Sequence, residues 1–192
     1  CACNQNTGRE QGNTKRDDVV VSINMVVNSL DPHDNYSLVQ EQVLQPVYES
    51  LYVFDESTRE YLPRLATGYT LSEDGLEYIF TLREDVKFHN GEEMKASDVV
   101  FSVERAKQNA SLNTYTSPIA ECRALDEHTV SFTLHTPYAP FIHHLRKINI
   151  VSEAAVAETG EENMASTICK GGTGPYVIAS YEPDTAIQYE AF

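Results

Sequence analysis

One stretch of the sequence combines residue types that could do acid–base chemistry. Residues 78–105 read YIFTLREDVKFHNGEEMKASDVVFSVER and place His89 among six acidic residues. A histidine that acts as a general base requires a partner to orient it and a nucleophile within hydrogen-bond reach. The sequence contains no GxSxG motif and no other recognised Ser/His/Asp signature. The favoured interpretation is structural: His89 bonds to the Asn90-Gly91 turn, and no catalytic residue is predicted.

The other histidines and the cysteines do not predict a metal site or a cofactor. His143 and His144 are neighbours on a predicted helix, so their side chains diverge by about 100°. His33 follows a proline in a loop, where a surface histidine is expected more often than a metal ligand. No CxxC pair occurs among the four cysteines, which are Cys1, Cys3, Cys122 and Cys169.

The acidic residues are spread along the chain rather than set apart in one pair. Paired carboxylates of the kind that flank a sugar in glycosidases therefore cannot be picked out, and a solvated acidic face is favoured. The doublets are Glu73-Asp74, Glu84-Asp85, Glu92-Glu93 and Glu161-Glu162. The GGTGPY segment lacks the Lys-Ser/Thr that would complete a P-loop, so it is interpreted as a turn.

The net charge excludes one class of partner. With 14 basic and 29 acidic residues, the formal charge is −15. Binding to phosphates requires clustered Lys and Arg, so no nucleic-acid partner is expected. No apolar run reaches the roughly 20 residues of a membrane helix.

The N-terminal residues suggest a lipid anchor. The segment CACNQNTGREQGNTKRDD starts at cysteine and continues without hydrophobic periodicity, so residues 1–17 are predicted to be a flexible tether. This pattern is typical of a bacterial lipoprotein after removal of its signal peptide. Lipidation is predicted on Cys1, and Cys3 is the less favoured acceptor. The alternative is a cytosolic chain in which neither of these two cysteines carries a lipid.

Cys122 and Cys169 leave two arrangements open. In an oxidising compartment they could form a disulfide, or they could be two buried free thiols. Sequence does not determine the distance between them.

Several elements are expected to position these residues. The apolar run 19–27 predicts a buried strand, and residues 37–52 predict an amphipathic helix that Pro46 kinks or splits. Hairpins are expected around Asp74-Gly75 and around residues 126–128. Ser97 is the expected N-cap of the next helix.

Short helices and a final pair of strands complete the expected elements. The helices are predicted beyond Pro140 and at SEAAVAETG, and the strands at YVIASYE and AIQYEAF. The sequence stops within the last of these strands, so the chain is interpreted as the front part of a longer protein.

The spacing of residues 65–106 resembles the signature region of the dipeptide/oligopeptide/nickel-type solute-binding proteins of ABC importers. The matching positions are Ala66, Asp74-Gly75, Tyr78, Phe80, Leu82-Arg83, Val86, Phe88-His89, Gly91, Ala96, Asp98-Val99 and Arg105. Further matches are SLDPH (29–33), YESL (48–51), PYAPF (137–141) and GTGPY (172–176). The resemblance covers about residues 20–192, while members of the family are considerably longer.

The resemblance implies an α/β fold that forms one periplasmic-binding-protein-like lobe. This lobe would consist of a mixed sheet with flanking helices and would carry an inserted α+β subdomain. Residues 18–45 and 169–192 would form the core of this first lobe and 46–168 the insertion, with the second lobe absent from the chain. His89 would then be scaffold.

The resemblance also implies a monomeric, non-enzymatic component that delivers a peptide or similar small solute to an ABC permease and its ATPase. Its expected location is the outer face of the bacterial membrane or the periplasm. Nickel, a metal chelate or an oligosaccharide are alternative solutes, and a secreted hydrolase or a surface sensor are alternative functions.

Loops at the ends of strands bind ligands in α/β folds. The loop after the first strand is therefore predicted to contact the solute. Its residues are Asn28, Ser29, Leu30, Asp31, Pro32 and His33.

Overall fold

The computed structural model of the protein describes residues 26–34, 37–183 and 185–192. The predicted lipid acceptor Cys1, the predicted tether 1–17 and most of the predicted strand 19–27 lie outside these residues. Val26 and Val27, at the end of that predicted strand, belong to no regular element. None of the helices in the described ranges is long and apolar enough to cross a bilayer.

Two antiparallel hairpins build a four-stranded sheet with the order β3-β4-β6-β5. The strands are β3 (Ala66–Leu71), β4 (Glu77–Leu82), β5 (Ile119–Ala124) and β6 (Thr129–Leu134). The turn of the first hairpin requires Gly75, whose φ of 72° is unfavourable for other residues. Both predicted hairpins are confirmed.

Helix α2 (Ala96–Lys107) covers this sheet and buries Val99, Val103 and Ala106 completely. The helix is capped by Lys95, and the Asp98 carboxylate accepts the backbone N–H of Lys95. The predicted N-cap Ser97 is therefore wrong, because the extended residue that precedes the helix lies two positions earlier.

Helix α1 (Leu38–Leu44) is shorter than the predicted helix 37–52. The Ser37 hydroxyl caps its N-terminus by accepting the N–H of Gln40. The chain leaves the helix just before Pro46, which has no N–H to continue the ladder. The residues after Pro46 form a turn and an extended segment rather than a second helical piece.

A two-stranded sheet lies near the C-terminal end of the chain. It consists of β7 (Tyr176–Glu182) and β8 (Ala186–Ala191). The Tyr189 hydroxyl donates to the Val43 carbonyl at 3.0 Å, which ties the hairpin to α1. The remaining elements are β1 (Tyr52–Asp55), β2 (Glu60–Pro63), α3 (Asn113–Thr116), α4 (Phe141–Leu145) and α5 (Glu153–Thr159).

The buried side chains form two hydrophobic clusters. The first lies within residues 51–150 and centres on Phe80, Phe132 and Phe141. The second combines residues 30–48 with residues 151–178. The predicted domain limits at 46 and 168 stay a prediction.

Cys122 and Cys169 are both buried free thiols in the structure, which is the second of the two arrangements that the sequence left open. Cys122 belongs to the first hydrophobic cluster and Cys169 to the second. Burial raises the pKa of the Cys122 thiol to about 12, which keeps it protonated and unreactive at neutral pH.

Candidate functional site

The predicted ligand loop 28–33 is mostly internal. Asn28 is exposed, whereas the next five residues are buried. The Ser29 hydroxyl accepts the N–H of Asp31, and Leu30 packs in the second cluster. The loop is therefore built to hold its own shape, and most of its side chains face the protein rather than solvent.

Asp31 binds Arg105 of α2 through two parallel hydrogen bonds. The distances are 2.8 Å from Nη1 to Oδ1 and 2.6 Å from Nη2 to Oδ2. Burial by itself would raise the pKa of Asp31, but the hydrogen bonds from Arg105 and from the His33 backbone outweigh it, so this pKa is lowered. Arg105 also binds Glu161, so one guanidinium holds two carboxylates.

His33 is buried, which corrects the prediction of a surface histidine. Its Nδ1 accepts a hydrogen bond from Arg105 at 3.1 Å, because a guanidinium can only donate. Its Nε2 consequently carries the proton and donates to the Asn149 carbonyl at 2.8 Å. Burial and the positive Arg105 lower the pKa of His33 to about 4, so the ring is neutral at physiological pH.

His89 bonds to the glycine-rich segment and not to the Asn90-Gly91 turn that was predicted. Its Nε2 donates to the Gly174 carbonyl at 2.9 Å, and its backbone N–H donates to the Gly172 carbonyl at 2.9 Å. Burial lowers the pKa of His89, which keeps the ring neutral. It has no hydroxyl or thiol among its hydrogen-bond partners, so its role in the described residues is to hold a loop.

His143 and His144 each face a different tyrosine. Nδ1 of His143 lies 2.7 Å from the Tyr61 hydroxyl, and Nε2 of His144 lies 3.3 Å from the Tyr138 hydroxyl. In the described part of the chain, no group of three His, Cys, Asp or Glu side chains is arranged to hold a metal ion.

A pocket of about 640 Å³ lies between α1, β1 and the segment after α4. This size falls in the range of about 300–1,000 Å³ that is usual for small-molecule sites. Its lining residues are Pro32, Ser37, Gln40, Glu41, Leu44, Gln45, Tyr48, Glu49, Ser50, Tyr52, Val53, Phe54, Glu56, Arg64, Arg146, Lys147, Asn149 and Pro175. The mixture of tyrosines, amides and charges suits a polar solute with an apolar part.

The charged side chains of the pocket are unequally satisfied. Arg64 is paired with Glu49, and Lys147 is paired with Glu41. Arg146 is different: its Nε is buried and has no hydrogen-bond partner in the part of the chain that the structure describes. The sequence analysis did not identify these charged pocket residues, because isolated Lys and Arg side chains show no periodicity and match no motif.

A second concave surface of about 610 Å³ lies beside β3 and β4. Most of its lining side chains are exposed, and Arg83 there is already bound to Asp85 at 2.9 and 2.7 Å. The first pocket is the stronger candidate, since it combines buried aromatic side chains with an unsatisfied charge.

Comparison with known proteins relates the chain to one family. Residues 60–192 match the family described as bacterial extracellular solute-binding proteins, family 5, middle part. The glutathione-binding protein GsiB of Pectobacterium atrosepticum is 31% identical over 180 residues, which are 91% of this chain and 34% of that protein. The chain thus spans about a third of the length of the curated relatives it matches.

Two solved structures share the fold. The periplasmic binding protein DppA of Helicobacter pylori, in complex with the peptide STSA, has a TM-score of 0.74 and 29% identity, covering 85% of this chain and 37% of that one. The protein MoaA of A. tumefaciens R10, in complex with mannopinic acid, has a TM-score of 0.77 and 26% identity, covering 86% and 35%.

The match to the family extends over more than half of the chain, and the fold agrees with the lobe that was expected from the sequence. The chain belongs to the bacterial extracellular solute-binding proteins of family 5.

Proposed function

We propose that the protein captures a peptide or similar small solute outside the cell and delivers it to an ABC permease with its ATPase. The observation that carries this proposal is a polar pocket of about 640 Å³ in a chain of a solute-binding family. In this proposal the protein is a monomer, forms and breaks no bond, and closes on its solute by hinge motion against a second lobe.

The pocket supplies one wall of the proposed binding site. Tyr48 and Tyr52 provide aromatic surface, and Gln40 and Asn149 provide amide groups. Such a lining accepts an extended solute through polar contacts while apolar groups rest on the rings. A second lobe would provide the opposite wall.

The loop 28–33 has two roles in the proposed site. Pro32 lines the pocket and Asn28 is exposed, so these two residues are the proposed solute contacts of the loop. The buried pair Asp31–Arg105 and His33 hold the loop, and the bond from His33 to Asn149 fixes the neighbouring pocket wall.

The location follows from the same proposal. Members of this family are extracellular, and a lipid on Cys1 would hold the protein at the outer face of the membrane through the tether 1–17. Two acyl chains anchor a protein stably where one does not.

Thermal unfolding of the full-length protein with a panel of solutes tests the function. The panel contains glutathione, trialanine, maltotriose and the nickel–EDTA chelate. A solute at 100 times its Kd adds about 2.7 kcal/mol to the unfolding free energy. We expect a rise in Tm of several degrees with glutathione or trialanine.

The other outcomes separate the alternatives. A shift with maltotriose or nickel–EDTA alone would keep the binding function and replace the peptide by another solute. Loss of the added peptide over time, followed by chromatography, would indicate a hydrolase. An unchanged Tm with every solute would contradict the proposal and favour a sensor or adhesin that has lost solute capture.

A further inference from the structure

Arg146 lies on the wall of the pocket, and its side chain forms no ion pair with the other described residues. It follows α4 directly, and its side chain is partly buried. Its Nε is buried and has no acceptor among the described residues. A buried donor without an acceptor is costly, and a guanidinium has five N–H groups to satisfy.

The acidic side chains that line the pocket form no ion pair with this guanidinium in the described residues, and two of them bind other groups. Glu49 binds Arg64 and also accepts the Thr173 hydroxyl at 3.0 Å. Glu41 binds Lys147 at 2.5 Å. Glu56 is exposed at the turn between β1 and β2 and forms no bond with Arg146 in the described residues.

The charge of Arg146 also affects the neighbouring His143. The pKa of His143 is lowered, first by burial and second by the positive Arg146. The neighbouring imidazole is therefore disfavoured from adding a second positive charge beside Arg146.

A carboxylate is the group that fits a guanidinium best. The planar fork of Arg matches the two oxygens of a carboxylate, and the resulting bonds are about twice as strong as those between neutral groups. We propose that Arg146 is a specificity-determining residue that selects solutes bearing a free carboxylate and places this carboxylate against the wall formed by residues 146–149. This inference rests on the proposed solute-binding function and names the solute class for that site.

Matched probes test the selection in the full-length protein. Binding of trialanine, with a free C-terminal carboxylate, is compared by calorimetry with binding of trialanine amide. Glutathione is a third probe, since it carries carboxylates at other positions. The variants are Arg146→Gln, which removes the charge, and Arg146→Lys, which keeps it without the fork.

Arg123→Gln is the control, because Arg123 is an exposed arginine on β5 with a loose ion pair to Glu121 at 3.6 Å. The Tm and circular dichroism of each variant without solute establish that it is folded. Should Arg146→Gln fail to fold, the comparison is made with Arg146→Lys alone.

We expect the wild-type protein to prefer a free carboxylate by about tenfold or more, because a charge-assisted pair is lost with the amide. Arg146→Gln should remove this preference and leave amide binding within about twofold. Arg146→Lys should retain part of it, and Arg123→Gln all of it. Arg146→Gln should also weaken the binding of glutathione, since a solute carboxylate then loses its charged partner.

Two results would overturn the inference without touching the proposed function. One is equal binding of the acid and the amide by the wild-type protein. The other is an acid preference that Arg146→Gln leaves intact. Absence of binding of every probe would instead overturn the proposed capture of a peptide, and the inference with it.

Discussion

His33 is neutral in the folded protein because burial and Arg105 lower its pKa to about 4 from an ordinary 6.5. In the unfolded chain the same ring takes up a proton as the pH falls through 6.5. The folded state is therefore favoured above pH 6.5, and this contribution is lost as the pH falls from 6.5 to 4. The size of the loss is roughly 3 kcal/mol, from 1.36 kcal/mol per pKa unit.

We predict that His33→Gln flattens the acid side of the stability profile. Between pH 7 and pH 4, the unfolding free energy of the variant should fall by about 3 kcal/mol less than that of the wild-type protein, because the titrating ring is gone. Urea unfolding at one-unit steps of pH measures this. His135→Gln, at an exposed histidine, is the control and should follow the wild-type profile. Parallel curves for His33→Gln and wild type would refute the assignment.

Asp31 extends the acid sensitivity to lower pH. Its pKa lies below the usual 3.8, since the hydrogen bonds from Arg105 and His33 outweigh burial. Its contribution to stability is present above pH 3.8 and is lost as the pH falls through the lowered value. As the pH falls, His33 therefore loses its stabilising contribution first and Asp31 loses its contribution at lower pH.

The glycine-rich segment GGTGPY, residues 171–176, packs closely against the backbone around Pro46. A Cβ on Gly172 would lie 2.2 Å from the Val47 carbonyl oxygen, and a Cβ on Gly174 would lie 2.3 Å from the Pro46 carbonyl oxygen. Both obstacles are backbone atoms, which cannot turn away as a side chain does. His89 also holds the segment, since its Nε2 donates to the Gly174 carbonyl.

Gly174→Ala is therefore expected to destabilise the protein by at least about 2 kcal/mol, because the segment must move to admit the methyl group. Gly68→Ala in β3 is the matched control, since a Cβ there meets nothing within 4 Å. The control should stay within about 0.5 kcal/mol of wild type. The urea midpoints of the wild-type protein and the two variants are compared. Equal midpoints for the two variants would show that the close backbone contact at Gly174 does not make a methyl group destabilising there.

The two hydrophobic clusters meet at α2. Val99 and Val103 of this helix belong to the first cluster, whereas Phe101 packs against the second. Ser102 reinforces the junction, because its hydroxyl accepts the backbone N–H of Val151 at 2.9 Å. Arg105 then reaches from the same helix to Asp31 in the loop of the second cluster.

We expect Arg105→Ala to cost about 3–5 kcal/mol at neutral pH, because it leaves Asp31 buried and charged without its partner. Arg123→Ala, at an exposed pair, is the control and should cost at most about 1 kcal/mol. The double variant Asp31→Asn/Arg105→Ala should lose less than the sum of the two single variants, as a coupled pair does. Additive losses in urea unfolding would mean that the pair does not join the two clusters energetically.

Much of the fold was predictable because its signals are local. The hairpin at Asp74-Gly75 depends on alternation and on a turn residue a few positions away. The interruption of the predicted helix 37–52 at Pro46 depends on a missing N–H, although the structure ends the helix there instead of kinking or splitting it. The exact length of α1 and the cap of α2 were missed, since helix ends depend on which of several nearby groups is available. The spaced pattern across residues 65–106 identified the family without any structure.

The candidate site was decided by tertiary structure, because its residues meet only when distant segments pack. Arg105 reaches Asp31 across 74 positions of sequence, and His89 reaches Gly174 across 85. These contacts convert most of a predicted ligand loop into internal support and make His89 the anchor of a loop. The difference between Arg146 and the other pocket cations has the same origin. Folding pairs Arg64 and Lys147 with carboxylates, whereas the Nε of Arg146 finds no acceptor among the described residues.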